Sequence, residues 1–154
     1  MPDERSFHAA CWEVRVPQEE VEGILATIRK ENPGVIVQVI GAARAPNPGV
    51  IEMIAAQTLM AAESGCTLAE RPELDLLLRL AGTRQIGEAF QRLGYKSNGK
   101  RFFMVAASEG SRPSMARMSK RLAADKRFTE VAKRQLAEGD LDQVERAALL
   151  AARL

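Results

Sequence analysis

Arg101-Phe102-Phe103-Met104-Val105-Ala106-Ala107 decides the fold class. Phe102 to Val105 are large, apolar and rich in strand formers, which predicts a strand buried among other elements. Two strand signals precede it. Phe7 to Val16 alternates Trp12, Val14 and Val16 with Glu13 and Arg15, and Pro17 closes it. Val35 to Ile40 is a β-branched run interrupted only by Gln38, the pattern of a strand covered on both faces. Between the second and third strands the sequence carries several helices and no strand, so the elements do not alternate strictly. The expected class is therefore α+β: a single domain with a small, mainly antiparallel sheet of three to four strands, covered by several helices. Spacing alone leaves open whether the first two strands run parallel or the sheet is antiparallel throughout.

The helices have local signals at both ends. Gln18 to Glu31 places Val21, Ile24, Leu25 and Ile28 on one face, with Glu19, Glu20 and Glu22 near its start and Asn32-Pro33-Gly34 at its end. Asn47 caps a helix with Pro48 in first position, running to about Ser64 and ending at Gly65. Pro72 opens a short leucine-rich helix in which Asp75 and Arg79 form an exposed i, i+4 pair, and Gly82 breaks it. Thr83 caps the next, which runs to Leu93 with Ile86, Ala89, Phe90 and Leu93 inward and Gly94 as its stop. Tyr95 to Lys100 is a polar turn with Asn98-Gly99. Beyond the third strand the chain is expected to be helical: a basic segment from Pro113 with Met115, Met118 and Leu122, a second over about Phe128 to Glu138, and a last one capped by Asp140 with Leu141, Val144, Ala148 and Leu149 or Leu150 inward. Met115, Met118 and the last helix have two open uses, core packing or a partner's surface.

Composition narrows the function. A chain of 154 residues buries roughly 68–70% of the surface its unfolded form exposes, enough for a core without staples. One His and two widely separated cysteines, Cys11 and Cys66, cannot supply a structural zinc site or a disulfide framework. The charged start Met1-Pro2-Asp3-Glu4-Arg5 and the lack of any apolar run of membrane-spanning length lead us to expect no signal peptide, no membrane and a cytoplasmic location. Net charge is +2, but residues 1–77 carry 6 basic and 12 acidic side chains against 16 and 8 in residues 78–154. From Arg79 to Arg134 there are 14 basic residues and only Glu88, Glu109, Asp125 and Glu130. Such an excess is either a polyanion footprint or a set of solvated helix faces.

No nucleotide, metalloprotease or hydrolase motif is present. His8 and Cys11 lie three apart on a strand and project to opposite faces, so local spacing does not make them a catalytic pair. An enzyme is not expected, nor a cofactor or metal. The sharpest feature is Ala81-Gly82-Thr83-Arg84-Gln85-Ile86. A helix start at Thr83 attracts anions, yet Arg84 puts a cation beside it, at a cost of a few tenths of a kcal/mol up to about 1. A phosphate or carboxylate seated there would reverse that sign. The alternative is that Arg84 pairs with Glu88 one turn on.

Glu73-Leu74-Asp75-Leu76-Leu77-Leu78-Arg79-Leu80-Ala81-Gly82-Thr83-Arg84-Gln85-Ile86-Gly87-Glu88-Ala89-Phe90, continuing to Gly94, resembles the family of the small kinase-binding subunit of the KEOPS (EKC) complex in its archaeal form. Weaker similarity spans most of the chain, including the Asn47 turn and Asp142 to Leu150; residues Arg112 to Gly139 are longer and more basic than the family pattern. The resemblance implies one kinase-binding and tRNA-binding domain over residues 1–154, without catalytic residues. Its partners would be the complex's small atypical kinase, whose ATPase it stimulates, the single-stranded 3′ CCA end of tRNA, and indirectly the other subunits that make N6-threonylcarbamoyladenosine. On matching positions it implies tRNA contacts at Gly82, Thr83, Arg84, Gln85 and Ile86, with Arg44, Lys96 and Lys100 as nearby backbone cations. The charge asymmetry alone also permits a generic basic RNA-binding or ribosome-associated module, and the Thr83 helix start permits a small-molecule anion-binding regulatory domain.

Overall fold

Side chains on a strand alternate between its two faces, and here that alternation divides the apolar residues into two cores. The computed structural model describes residues 7–96, 101–110, 114–131 and 144–150. In order these form β1 (Phe7–Val14), α1 (Gln18–Glu31), β2 (Ile36–Gly41), a 3-10 turn (Ala42–Arg44), α2 (Pro48–Ser64), α3 (Pro72–Ala81), α4 (Ile86–Leu93), β3 (Phe102–Glu109), α5 (Ser114–Ala123) and β4 (Phe128–Glu130). A helix at 144–150, α6, follows. The sheet order is β2-β3-β1-β4 and every neighbouring pair is antiparallel. β1 and β2 thus run in the same direction, separated by β3. The expected α+β domain is observed, with a fully antiparallel four-stranded sheet.

Cys11, Val105, Ala107, Ile36 and Ile40 face α2 and α3, and this core also takes Ala89 and Leu93 from α4 and Val144 and Ala147 from α6. Trp12, Val14, Val37, Val39, Phe102, Met104 and Ala106 face the other way, against Val21, Leu25 and Ile28 of α1 and Met115, Met118 and Leu122 of α5. The two methionines therefore serve the core. β3 is central, and Met104 to Ala107 are wholly buried. The helix ends of α2 match their local chemistry: Asn47 Oδ1 accepts from the Gly49 N–H at 2.8 Å, Pro48 opens the helix, and Gly65 closes it at φ 74°.

Four expectations are corrected. Phe128–Glu130, expected to be helical, is an edge strand, because Phe128 fills the core beside α5 while its backbone pairs opposite Val14. The rest of that segment, residues 132–138, lies outside the described residues, as do Asn98-Gly99, Pro113 and Asp140. α6 turns Val144 and Ala147 inward, whereas Ala148 and Leu149 are exposed. In α4, Ala89 and Leu93 are buried but Ile86 and Phe90 are 44% and 43% exposed: the helix packs on α3 with Ala89 and Leu93 inward and Ile86 and Phe90 outward. Finally, Asp75 and Arg79 are buried, their side chains 1% and 2% exposed.

That pair is held by groups remote in sequence. Arg79 Nε donates to Asp75 Oδ1 at 2.5 Å, and Asp75 Oδ2 accepts from the Leu68 N–H at 3.0 Å. The rest of the guanidinium reaches the carbonyls of Cys66 (3.0 Å) and Ala147 (3.5 Å). Removing one partner leaves the other charged and enclosed, so Arg79→Ala should lower stability by about 3–5 kcal/mol, whereas an Asp75→Leu/Arg79→Met double variant should lose less. Urea denaturation of both proteins checks this, and an equal or smaller loss in the single variant contradicts it.

The edge at β2 is covered rather than left open. Arg29 donates through Nε and Nη2 to the Val37 carbonyl at 3.0 and 2.7 Å, and Gly94 bridges to Ile40. A Cβ at Gly94 would stand 2.4 Å from the Phe90 carbonyl oxygen, where backbone cannot yield. Gly94→Ala should therefore destabilise by about 1–3 kcal/mol, read as a lower urea midpoint at unchanged m-value.

Candidate nucleic-acid interface around α4

The turn between α3 and α4 is built from local chemistry. Gly82 adopts φ 72°, its N–H donates to the Leu78 and Arg79 carbonyls, and the Thr83 N–H also reaches Leu78. Thr83 is buried, and its hydroxyl is committed: it accepts from the Gln85 N–H at 3.2 Å and donates to Glu88 Oε2 at 3.1 Å. Glu88 also pairs with Arg92, and Arg92 donates back to the Ala81 carbonyl at 2.9 Å. This closed circuit of bonds fixes α4 to the end of α3. It also corrects the expected helix start. Gln85, in extended conformation, is the N-cap and makes no side-chain cap bond, so α4 begins at Ile86.

Glu88 in the first turn already complements the positive end of the helix. It is not the partner of Arg84. Arg84 is exposed and donates from Nη2 to the Leu150 carbonyl of α6 at 2.7 Å. Arg84, Gln85, Ile86 and Gly87 form a continuous exposed run, backed by first-turn N–H groups that helix geometry leaves without intrahelical acceptors. The 3-10 turn that carries exposed Arg44 packs against α4, so the structure brings Arg44 to this element. Lys96 is exposed beyond the other end of α4, a helix ~12 Å long, and is not brought to its start. Lys100 lies outside the described residues.

Phe90 and Tyr95 line a cavity that periodicity does not reveal. Phe90 was expected inward, and it instead stands at the mouth of a cavity with Tyr95 and Lys96. The available signal was their closeness in sequence: two of the chain's seven aromatic residues lie within six positions of each other, next to a lysine.

The thiol and imidazole of β1 are separated as spacing predicts: Cys11 is buried against α2 and His8 is exposed. Burial, with Glu52 nearby, pushes the Cys11 thiol up to about 12, leaving no thiolate to act as a nucleophile near neutral pH. Among the described residues no cluster of three or more His, Cys, Asp or Glu side chains is arranged to hold a metal ion, and no helix is long and apolar enough to cross a membrane. The arrangement is that of an α+β domain with a cationic and partly apolar surface along one short helix. Compared with protein-family models and with curated proteins, the chain matches none.

The two cysteines differ enough to be counted. A raised pKa keeps Cys11 protonated at every pH below that value, and it is sheltered, whereas Cys66 is exposed. A thiol reagent near neutral pH should label one cysteine in the native protein and both in denaturant, and rapid labelling of two native thiols contradicts the burial of Cys11.

Proposed function

We propose that this chain is a non-catalytic, cytoplasmic accessory subunit of the KEOPS type, which binds and stimulates a small atypical kinase and holds the 3′ CCA end of tRNA during N6-threonylcarbamoyladenosine formation. The observation that carries the proposal is the exposed run Arg84-Gln85-Ile86 at the start of α4, lying inside the segment that resembles that family. Gly82 and Thr83 shape the turn: the αL glycine redirects the chain and the Thr83 hydroxyl holds it to Glu88. Arg84 retains donors beyond the one given to Leu150, because a guanidinium carries five N–H groups. Phosphate on those donors and on the first-turn N–H groups, with Gln85 at base edges and Ile86 against a sugar or base face, uses each residue for its chemistry. Arg44 adds backbone attraction from the neighbouring turn. For the kinase, exposed Met53 and Met60 on one face of α2 and Leu149 on α6 offer apolar contact area.

Arg84→Glu should remove tRNA binding while circular dichroism stays native, since the side chain is exposed and gives up one surface bond, that to the Leu150 carbonyl. Removing the CCA end should weaken binding far more than altering the anticodon, and affinity should fall steeply with salt. A tagged chain should copurify with the kinase. Unchanged tRNA affinity in the variant overturns the site; equal binding of trimmed tRNA without a kinase partner points to a generic RNA-binding module.

A further inference from the structure

A cavity of about 490 Å³ lies between α1, the edge strand β2, the start of α3 and the chain leaving α4, within the ~300–1,000 Å³ usual for small-ligand sites. Its walls combine two chemistries. Phe90, 43% exposed, and half-buried Tyr95 present aromatic surface, with Leu25 and Leu74 as apolar lining. Arg29, Arg71 and Lys96 bring three cations against one carboxylate, Glu73, which stands 3.8 Å from Arg71. Arg29 is partly buried and gives Nε and Nη2 to one carbonyl, that of Val37, with no carboxylate in ion-pair contact among the described residues. Burial lowers its pKa, with Arg71 acting in the same direction and Glu73 opposing it. The Lys96 carbonyl accepts from Gln18, while its side chain is exposed at the rim.

An aromatic pair beside convergent cations matches a ligand that is flat and apolar at one end and doubly negative at the other. We propose that this cavity binds a nucleoside 5′-monophosphate unit, with the base against Phe90 and Tyr95 and the phosphate on Lys96, Arg71 and the remaining donors of Arg29. A free mononucleotide and the last unit of an RNA strand present that same chemistry. The assignment shares Lys96 with the tRNA contacts that the family resemblance implies, but it uses none of the residues Gly82 to Ile86 and stands on the cavity's own lining.

The test titrates the full chain with AMP and, separately, with a short single-stranded RNA, using adenosine and inorganic phosphate as controls. Phe90→Ala and Lys96→Glu change exposed side chains, so the fold is checked by thermal melting and each variant is expected to weaken binding at least ~10-fold. AMP binding that responds to both variants identifies free nucleotide as a ligand. Oligonucleotide binding that responds to both, without measurable AMP binding, identifies the strand end. The proposal is overturned if neither ligand binds the unaltered chain, or if binding is the same in both variants. A Phe90→Ala protein that loses AMP but still holds tRNA, or an Arg84→Glu protein that loses tRNA but still holds AMP, separates the cavity from the α4 start.

Discussion

The Asp75–Arg79 pair inside α3 is the constraint on which the α4 surface depends. Besides the bond within the pair, three bonds lead outward, to Leu68 and Cys66 in the α2–α3 connection and to Ala147 in α6. One enclosed guanidinium thus ties together three parts of the chain that have no local reason to meet. Such a pair is weak evidence for net stability, because desolvation opposes the Coulombic gain. Its effect is positional. With α3 fixed along its length, its last turn delivers Gly82 and Thr83 to a set place, and the Thr83–Glu88–Arg92–Ala81 circuit then sets α4. α6 receives two guanidinium bonds, at the Ala147 carbonyl from Arg79 and at the Leu150 carbonyl from Arg84. Arg84 is accordingly both a fold contact and the exposed cation of the proposed interface, and its orientation is set before any anion arrives.

Folding also redistributes the charge asymmetry. Of the basic residues from Arg79 to Arg134, Arg79 is buried, Arg92 pairs with Glu88, Arg101 with Glu13, Arg121 with Glu31 and Arg127 with Asp125. Two of these partners, Glu13 and Glu31, come from the acidic half of the chain. Lys96, Arg117, Lys120 and Lys126 have no ion-pair partner among the described residues. The electrostatic footprint is therefore smaller than the sequence count, and it divides between the α4 side and the α5 side of the sheet.

Much of the fold was legible because the signals were local. The bounds of α1 and α2 follow from Pro17, Asn32, Asn47, Pro48 and Gly65, each acting within a few residues. Strand order was not legible, since β1 pairs with β3 across nearly a hundred residues and periodicity carries no register between them. The Asp75–Arg79 error has a similar cause. An i, i+4 spacing is the same for an exposed pair and an enclosed one, and the distinction lies in Leu68, Cys66 and Ala147. Phe128 reads as helical in the sequence because a three-residue edge strand is shorter than any pattern that periodicity resolves.

The α4 start was readable for the same reason as the helix caps: glycine, threonine and arginine in sequence describe a turn by themselves. The cavity was not, because its walls come from four separate elements. It nevertheless alters the meaning of the chain's aromatic scarcity. With aromatics at 5% of residues, single-strand binding lacked the stacking surface it ordinarily uses. Trp12, Phe102 and Phe128 are indeed spent in the core. Phe90 is not, and leaving such a ring half in water forgoes part of the ~1.5–3 kcal/mol that its full burial would contribute. Core packing does not account for that exposure, whereas stacking beside three cations does: a few aromatics suffice when one stands at the rim of a cavity whose opposite wall attracts phosphate.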